Sequence, residues 1–209
     1  MFLPVSIWSV DAVFVHLTLL VGMRRGEACG LRWSDIDWHQ RALHIRRNVV
    51  KLSGQPILVK EPKTRAGVRV VYLSKELCKL LRVWQKESAW EKEQRGGGGL
   101  EEEDYLFRQP GGDPMVPSTF TFRFKKILRE GNLPDNLNVH SLRHTNASML
   151  IAQGVDVRTV AGLLGHAQPS TTLDIYSHAF DKNKSSHRRS WPRRWGCKQK
   201  EIKPNSPYL

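Results

Sequence analysis

The hydrophobic periodicity of this 209-residue chain changes twice, and these changes limit the folds open to it. The apolar run at residues 11–21 predicts a buried helix. Residues 42–73 instead hold three β-rich runs, and Leu43, Ile45 and Val49 fall on one side of the first run, which is the two-residue period of a strand. Helical spacing returns after residue 73. We therefore predict an α+β fold that is mostly helical, with a small three-stranded antiparallel sheet near its start.

Five helices are predicted after the sheet, from apolar spacing and from residues that favour helix ends, and the last is a short helix that Ser170 begins and that holds Tyr176. Ser74 is expected to begin the first helix and Ser118 to begin the second, which runs to residue 130. Residues 140–152 predict a third helix with few exposed sides. Asp156 is expected to begin the fourth, and Gly165 to end it.

The charge of the chain favours a polyanionic partner. Lys and Arg number 33 against 20 acidic residues, a formal net charge of +13, which suits nucleic acid or an anionic membrane surface and is also compatible with a merely soluble basic protein. No apolar run approaches the roughly 18–20 residues that a bilayer span needs. Three widely spaced cysteines argue against a disulfide framework and a clustered zinc site, so we expect a reducing cytoplasm.

The charge is unevenly distributed, and its distribution suggests a domain boundary. Residues 182–209 contain nine basic residues and one acidic residue, and neither helical nor strand periodicity continues there. We expect residues 1–181 to form one domain and residues 182–209 to form a disordered basic tail.

Four short elements carry residue types suited to phosphodiester chemistry. Two arginines can grip the non-bridging oxygens of a phosphate, a tyrosine hydroxyl can attack phosphorus, and neighbouring groups can move the protons. The candidates are Arg24 and Arg143 as the clamp, Lys63 as the acid, His140 as the base or proton shuttle, Tyr176 as the nucleophile, His166 as a hydrogen-bond donor to phosphate, and Glu27 as the group that orients Arg24 or a histidine.

Taken singly, each of these residues has a plain structural interpretation. Arg24 and Glu27 could be an ordinary ion pair, His166 could cap a helix and Tyr176 could lie in the core. His140 and His144 have the i, i+4 spacing of a zinc pair, but no Glu follows His140 and no cysteine cluster accompanies them, so we predict no metal.

Basic residues on or near the predicted sheet are candidates for contact with the DNA backbone. Such contacts position a protein on a duplex without reading its sequence. A solvated hairpin face is the alternative. The candidates are Arg46, Arg47, Lys60, Arg65 and Arg69.

The order of these motifs resembles the catalytic domain of the tyrosine recombinases, the phage integrase family. The resemblance rests on GMRRGEACGLRWSDID, the PKT of a hairpin turn, HSLRHTNASML, LLGH and DIYSH, and it covers about residues 11–181. It implies the DNA breaking-rejoining fold. It also implies a catalytic set of Arg24, Lys63, His140, Arg143, His166 and Tyr176.

The resemblance further implies an enzyme that cuts and rejoins duplex DNA through a 3′-phosphotyrosine link, without metal or cofactor, as a homotetramer. We expect site-specific integration or excision of a mobile element by a cytoplasmic, DNA-associated protein. A type IB topoisomerase and an inactive DNA-binding module are the alternatives. Family members usually carry an N-terminal DNA-binding domain, and about ten residues precede the first motif helix here, so we expect weak DNA binding and poor synapsis from this chain alone.

Overall fold

Helices dominate the part of the chain that the computed structural model describes, residues 9–61 and 67–166. The helices are α1 (Val10–Leu20), α2 (Arg25–Cys29), α3 (Lys75–Gln94), α4 (Pro117–Glu130), α5 (Val139–Ala152) and α6 (Val157–Leu164). The strands are β1 (Ile36–Asp37), β2 (Ala42–Ile45), β3 (Asn48–Lys51), β4 (Ile57–Lys60) and β5 (Arg69–Tyr72). The mostly helical α+β fold is confirmed. Lys63, Arg65, Tyr176 and residues 182–209 lie outside the described residues.

The predicted sheet is present, but its strands are arranged differently. The run that we expected to form one strand divides at Arg46 and Arg47 into β2 and β3. β2 pairs antiparallel with β1 and β5 in a three-stranded sheet, whereas β3 pairs with β4 in a separate hairpin. The change of sheet coincides with an ion pair between Arg47 and the fully buried Asp35, with 2.7 Å from Nη1 to Oδ2.

The helix α1 lies at the centre of an aromatic cluster in the core. Phe14 stacks on Phe120 of α4 with 3.8 Å between ring centroids, and Phe107 meets both rings edge-on. All three side chains are at most 1% exposed. The large apolar area buried by such rings is the main favourable term that fixes α4 against α1.

Of the five predicted capping residues, three are confirmed, one is wrong, and Ser170 lies outside the described residues. The Ser74 hydroxyl accepts a hydrogen bond from the amide of Leu77, and the Asp156 carboxylate accepts two from the first turn of α6. Gly165 ends α6 in the left-handed conformation, with φ +68°. Ser118 does not cap α4, because that helix begins one residue earlier at Pro117, whose fixed φ suits the first helical position.

Gly22 joins the ends of three helices beside the predicted site. It turns the chain between α1 and α2 with φ +70°, a conformation that favours glycine. A Cβ atom there would lie 2.7 Å from Asn146 Oδ1 of α5 and closer still to the Leu164 side chain of α6. The absence of a side chain therefore lets α1, α5 and α6 meet. No helix within residues 9–61 and 67–166 has the length and apolar character needed to cross a bilayer.

Candidate active site

Four of the six predicted catalytic residues lie in one region of the structure. Arg24 immediately precedes α2, His140 and Arg143 lie in the first turns of α5, and His166 follows the end of α6. The charges of Arg24 and Arg143 both act on the two histidine rings. The sequence pattern thus predicted residues that lie on three separate segments and come together in the fold. Lys63 and Tyr176 lie outside the described residues.

The C-terminus of α6 holds three arginines through three consecutive carbonyl groups, those of residues 163–165, which we call the carbonyl row. Arg69 Nε donates to the Leu163 carbonyl over 2.7 Å, and Arg143 Nη2 to the Leu164 carbonyl over 2.6 Å. Arg24 Nη2 donates to the Gly165 carbonyl over 3.0 Å. The last carbonyls of a helix lack partners within it and carry the negative end of the helix dipole, so they are suited to bind cations.

Arg143 is also attached to the turn at Gly22. Its Nη1 donates to the Gly22 carbonyl over 2.7 Å, and the whole residue is only 2% exposed. The guanidinium therefore spans the end of α1 and the end of α6. Such a held guanidinium is preorganised, and little side-chain entropy remains to be lost when it binds an anion.

A single buried carboxylate, that of Glu27, accepts hydrogen bonds from two arginines. Its Oε1 accepts from Arg24 Nη1 at 2.7 Å and from Arg69 Nη1 at 3.2 Å. Its Oε2 accepts from the Arg24 amide at 2.9 Å and from Arg69 Nη2 at 2.8 Å. The Glu27 side chain is 3% exposed. The prediction that Glu27 orients Arg24 has the contact it requires.

The charge state of Glu27 follows from these contacts. Burial on its own raises the pKa of the Glu27 carboxyl, but the hydrogen bonds and charge of Arg69, followed by those of Arg24, outweigh it. The pKa of Glu27 therefore lies below its ordinary value, and the group is ionised at neutral pH. The site therefore holds three guanidinium groups, those of Arg24, Arg69 and Arg143, and one carboxylate, which gives it a net positive charge suited to phosphate.

The two histidines of the site are held in the neutral form. Partial burial lowers the pKa of His166 to about 4, and the positive charges of Arg143 and Arg24 act in the same direction. Desolvation likewise lowers the pKa of His140, together with the charges of His144 and Arg143. The His140 ring meets His144 edge-on, with 4.5 Å between centroids. A neutral imidazole offers one N–H donor and one nitrogen that can accept a proton.

A cleft of about 680 Å³ opens beside Arg24 and His140. Its walls come from the start of α2, strand β3 and the first turns of α4 and α5. Arg25 crosses one side and donates to Thr121 Oγ1 of α4 over 2.9 Å. Arg24 and His140 are thus reachable from a groove.

The basic residues predicted to contact a DNA backbone have different surroundings. Lys60 is exposed at the end of β4, and the Arg46 side chain is 49% exposed near Asp35. Arg47 is 21% exposed and bound to Asp35. Arg69 contradicts the prediction, because its side chain is 7% exposed and its guanidinium is bound inside the protein. Arg65 lies outside the described residues.

Comparison with known proteins identifies the family. The sequence matches the phage integrase family over residues 5–183. The chain belongs to the phage integrase family. Solved structures agree: a Tn1549 transposon integrase in complex with transposon right end DNA aligns with a TM-score of 0.67 and 25% identity, covering 86% of this chain and 58% of that one.

Two relatives within the phage integrase family show how far the likeness extends. A XerC-like tyrosine recombinase of Caldanaerobacter subterraneus subsp. tengcongensis is 31% identical, over 85% of this chain and 47% of its own length. The ICEBs1 integrase of Bacillus subtilis is 32% identical, over 80% of this chain and 44% of its own length. The chain spans about half the length of the curated relatives it matches.

Sequence reasoning missed two parts of this candidate site. One is the carbonyl row, which has no side-chain signature. The other is the internal role of Arg69, for which a signature existed: Arg69 is in phase with Val71 and Leu73, which are buried, while Val68, Val70 and Tyr72 are exposed. An arginine on the buried face of a strand needs a buried partner.

Proposed function

We propose that this chain is the catalytic part of a site-specific DNA recombinase, which cuts and rejoins duplex DNA in the integration or excision of a mobile element. The observation that carries the proposal is the convergence of Arg24 and Arg143 on adjacent carbonyls beside two neutral histidines. An enzyme of this type must hold a phosphodiester and move protons around it, and the site offers groups for both tasks.

The arginines are assigned to the phosphate. Arg24 and Arg143 would bind its non-bridging oxygens, and His166 would donate a further hydrogen bond through its ring N–H. The negative charge of the phosphate offsets the neighbouring arginines, so DNA binding should raise the low pKa of His166. Glu27 would keep Arg24 aimed at the cleft.

The chemical step is assigned to Tyr176, Lys63 and His140. The Tyr176 hydroxyl would attack phosphorus, forming a 3′-phosphotyrosine ester as the bond to the 5′-oxygen breaks. Lys63 would protonate that leaving 5′-oxygen. His140 would accept the tyrosine proton or pass it on, which a histidine that is neutral at pH 7 can do. Attack by a 5′-hydroxyl of another duplex reverses these steps, so bond energy is conserved in the ester.

Duplex DNA is the proposed partner, bound by a homotetramer. The related Tn1549 integrase was solved in complex with transposon right end DNA, and the positive site suits such a ligand. Arg46, Arg47, Lys60 and Arg65 remain proposed backbone contacts. We assign catalysis to residues 1–181, treat 182–209 as an accessory basic tail, and expect a cytoplasmic, DNA-associated protein.

A suicide-substrate assay tests this function. The full chain is incubated with a library of nicked duplexes whose short 5′-hydroxyl fragment diffuses away after cleavage, which traps any covalent adduct. We expect an adduct that resists denaturation, is lost in Tyr176→Phe and persists in Tyr72→Phe, a control at a tyrosine that is 78% exposed on β5. An adduct in Tyr176→Phe would move the nucleophile elsewhere.

The same preparation separates the alternatives. No adduct with the unaltered chain would leave a DNA-binding module as the better description. Relaxation of supercoiled plasmid without strand exchange would indicate topoisomerase behaviour instead.

A further inference from the structure

The guanidinium of Arg69 connects two parts of the site that sequence separates widely. Its Nη atoms bind both oxygens of Glu27, at 3.2 and 2.8 Å, and its Nε binds the Leu163 carbonyl at 2.7 Å. Nη1 also lies 3.4 Å from the Gly67 carbonyl. The planar guanidinium thus donates hydrogen bonds to three groups at once, a geometry that the single ammonium of a lysine cannot reproduce.

Two of the groups bound by Arg69 are themselves linked to proposed catalytic residues. Glu27 binds the side chain and the amide of Arg24. Leu163 begins the carbonyl row, whose next two carbonyls bind Arg143 and Arg24 and which leads directly into His166. Arg69 itself is 9% exposed, so it lies behind this layer and away from the cleft surface.

We propose that Arg69 is a positioning residue, which fixes Arg24 through Glu27 and fixes the His166 segment through the Leu163 carbonyl. Because Arg69 is the first residue of β5, its contacts also tie that strand to Glu27 of α2 and to the end of α6. A neutral replacement leaves Glu27 buried against Arg24 alone, so Arg24 is drawn toward the carboxylate and the end of α6 loses one attachment.

The kinetic effect expected of Arg69 rests on the proposed function, whereas its structural role does not. Misplacement of a catalytic group by about 1 Å costs on the order of 10²-fold in rate. We therefore expect Arg69→Met to slow single-turnover adduct formation at saturating DNA by about 10²-fold. The DNA dissociation constant should stay within about twofold, because a buried arginine makes no phosphate contact.

The variants are chosen to separate positioning from stability. Arg69→Lys keeps a positive charge opposite Glu27, so we expect it to recover most of the folding stability and to keep most of the rate defect. Lys92→Met is the control, since it breaks a partly buried ion pair away from the site, Lys92 Nζ to Asp104 Oδ2 at 2.8 Å, on α3 and the following loop. It should lower stability without slowing the reaction.

A second measurement does not depend on activity. The full chain is prepared with carbon-13-labelled histidine, and the NMR resonance of the His166 ring is assigned by its loss in His166→Gln. We expect this resonance to shift in both Arg69 variants and to stay in place in Lys92→Met. An unmoved His166 signal in Arg69→Met overturns the proposal, as does a normal rate in Arg69→Lys.

Two other outcomes would lead to different conclusions. Weaker DNA binding with an unchanged rate at saturation would return Arg69 to the role of a phosphate contact. Failure of the unaltered chain to form any adduct counts against the proposed recombinase function alone, because the His166 signal still decides whether Arg69 holds that segment in place.

Discussion

At the scale of single residues, the site collects positive charge around groups that must remain neutral. Arg24, Arg69 and Arg143 are held by one carboxylate and five backbone carbonyl groups, so their charges are only partly compensated. The charges of Arg143 and Arg24 also oppose protonation of His166 and His140. The positive site that favours phosphate therefore also keeps the histidines able to accept a proton.

This coupling predicts the titration of His166. Its ring should titrate near pH 4 in the free protein, against 6.5 for an ordinary histidine, because burial and then Arg143 and Arg24 disfavour its charged form. An NMR titration of the ring proton measures this directly. Arg24→Gln removes one positive charge and should raise the pKa of His166.

The lowered pKa of His166 also determines how the stability of the folded chain changes with pH. Between about pH 4 and 6.5 the unfolded chain binds a proton at residue 166 that the folded chain does not, so stability falls as the pH drops through this window and is unaffected above it. His166→Gln should reduce that loss in denaturant titrations at pH 7 and pH 5. A midpoint near pH 6.5 in the NMR titration of His166 would show that the ring is not affected by its neighbours.

At the scale of secondary-structure elements, the site depends on how closely three helix ends approach one another. Gly22, Asn146 and Leu164 form the contact among α1, α5 and α6, and the Gly22 carbonyl also holds Arg143. Packing and chemistry thus share the same backbone segment.

A pair of alanine substitutions measures the cost of crowding this contact. Gly22 and Gly54 have nearly equal backbone angles, φ +70° and +71°, but a Cβ at Gly54 would meet nothing within 4 Å. Gly54→Ala should therefore cost only the left-handed backbone strain, about 1 kcal/mol. Gly22→Ala adds overpacking against Asn146 and Leu164, for a total of about 2–4 kcal/mol in the free energy of unfolding. Equal losses in urea titrations would mean that the helix ends move apart easily.

Local patterns predicted the elements well, and long-range partners decided the rest. Ser74 and Asp156 start their helices because a cap is a local hydrogen bond within three residues. The division of the first β run coincides with the contact of Arg47 with Asp35, 12 residues away, which no local spacing indicates. Arg69 was assigned to the surface because its partner Glu27 lies 42 residues away and no local spacing links the two.

At the scale of the whole molecule, charge and chemistry occupy different parts of the chain. Residues 182–209 carry nine of the 33 basic residues and one of the 20 acidic residues, a formal charge of +8, which leaves +5 for residues 1–181. The motifs that define the site all lie in the less charged part. Bulk charge is therefore a poor guide to the catalytic surface, although it contributes to non-specific attraction of DNA.

The salt dependence of DNA affinity tests whether residues 182–209 supply this non-specific attraction. Each phosphate neutralised by a basic side chain changes the slope of log affinity against log salt concentration by about 0.9, because a condensed counterion is released. Deleting residues 182–209 should flatten that slope for a non-specific duplex, measured by fluorescence anisotropy between about 50 and 200 mM salt. Replacing Arg188, Arg189, Arg193 and Arg194 by glutamine keeps the chain length and should give part of the same effect. An unchanged slope in both variants would place the bound phosphates on residues 1–181, where Lys60 and Arg46 are the exposed candidates.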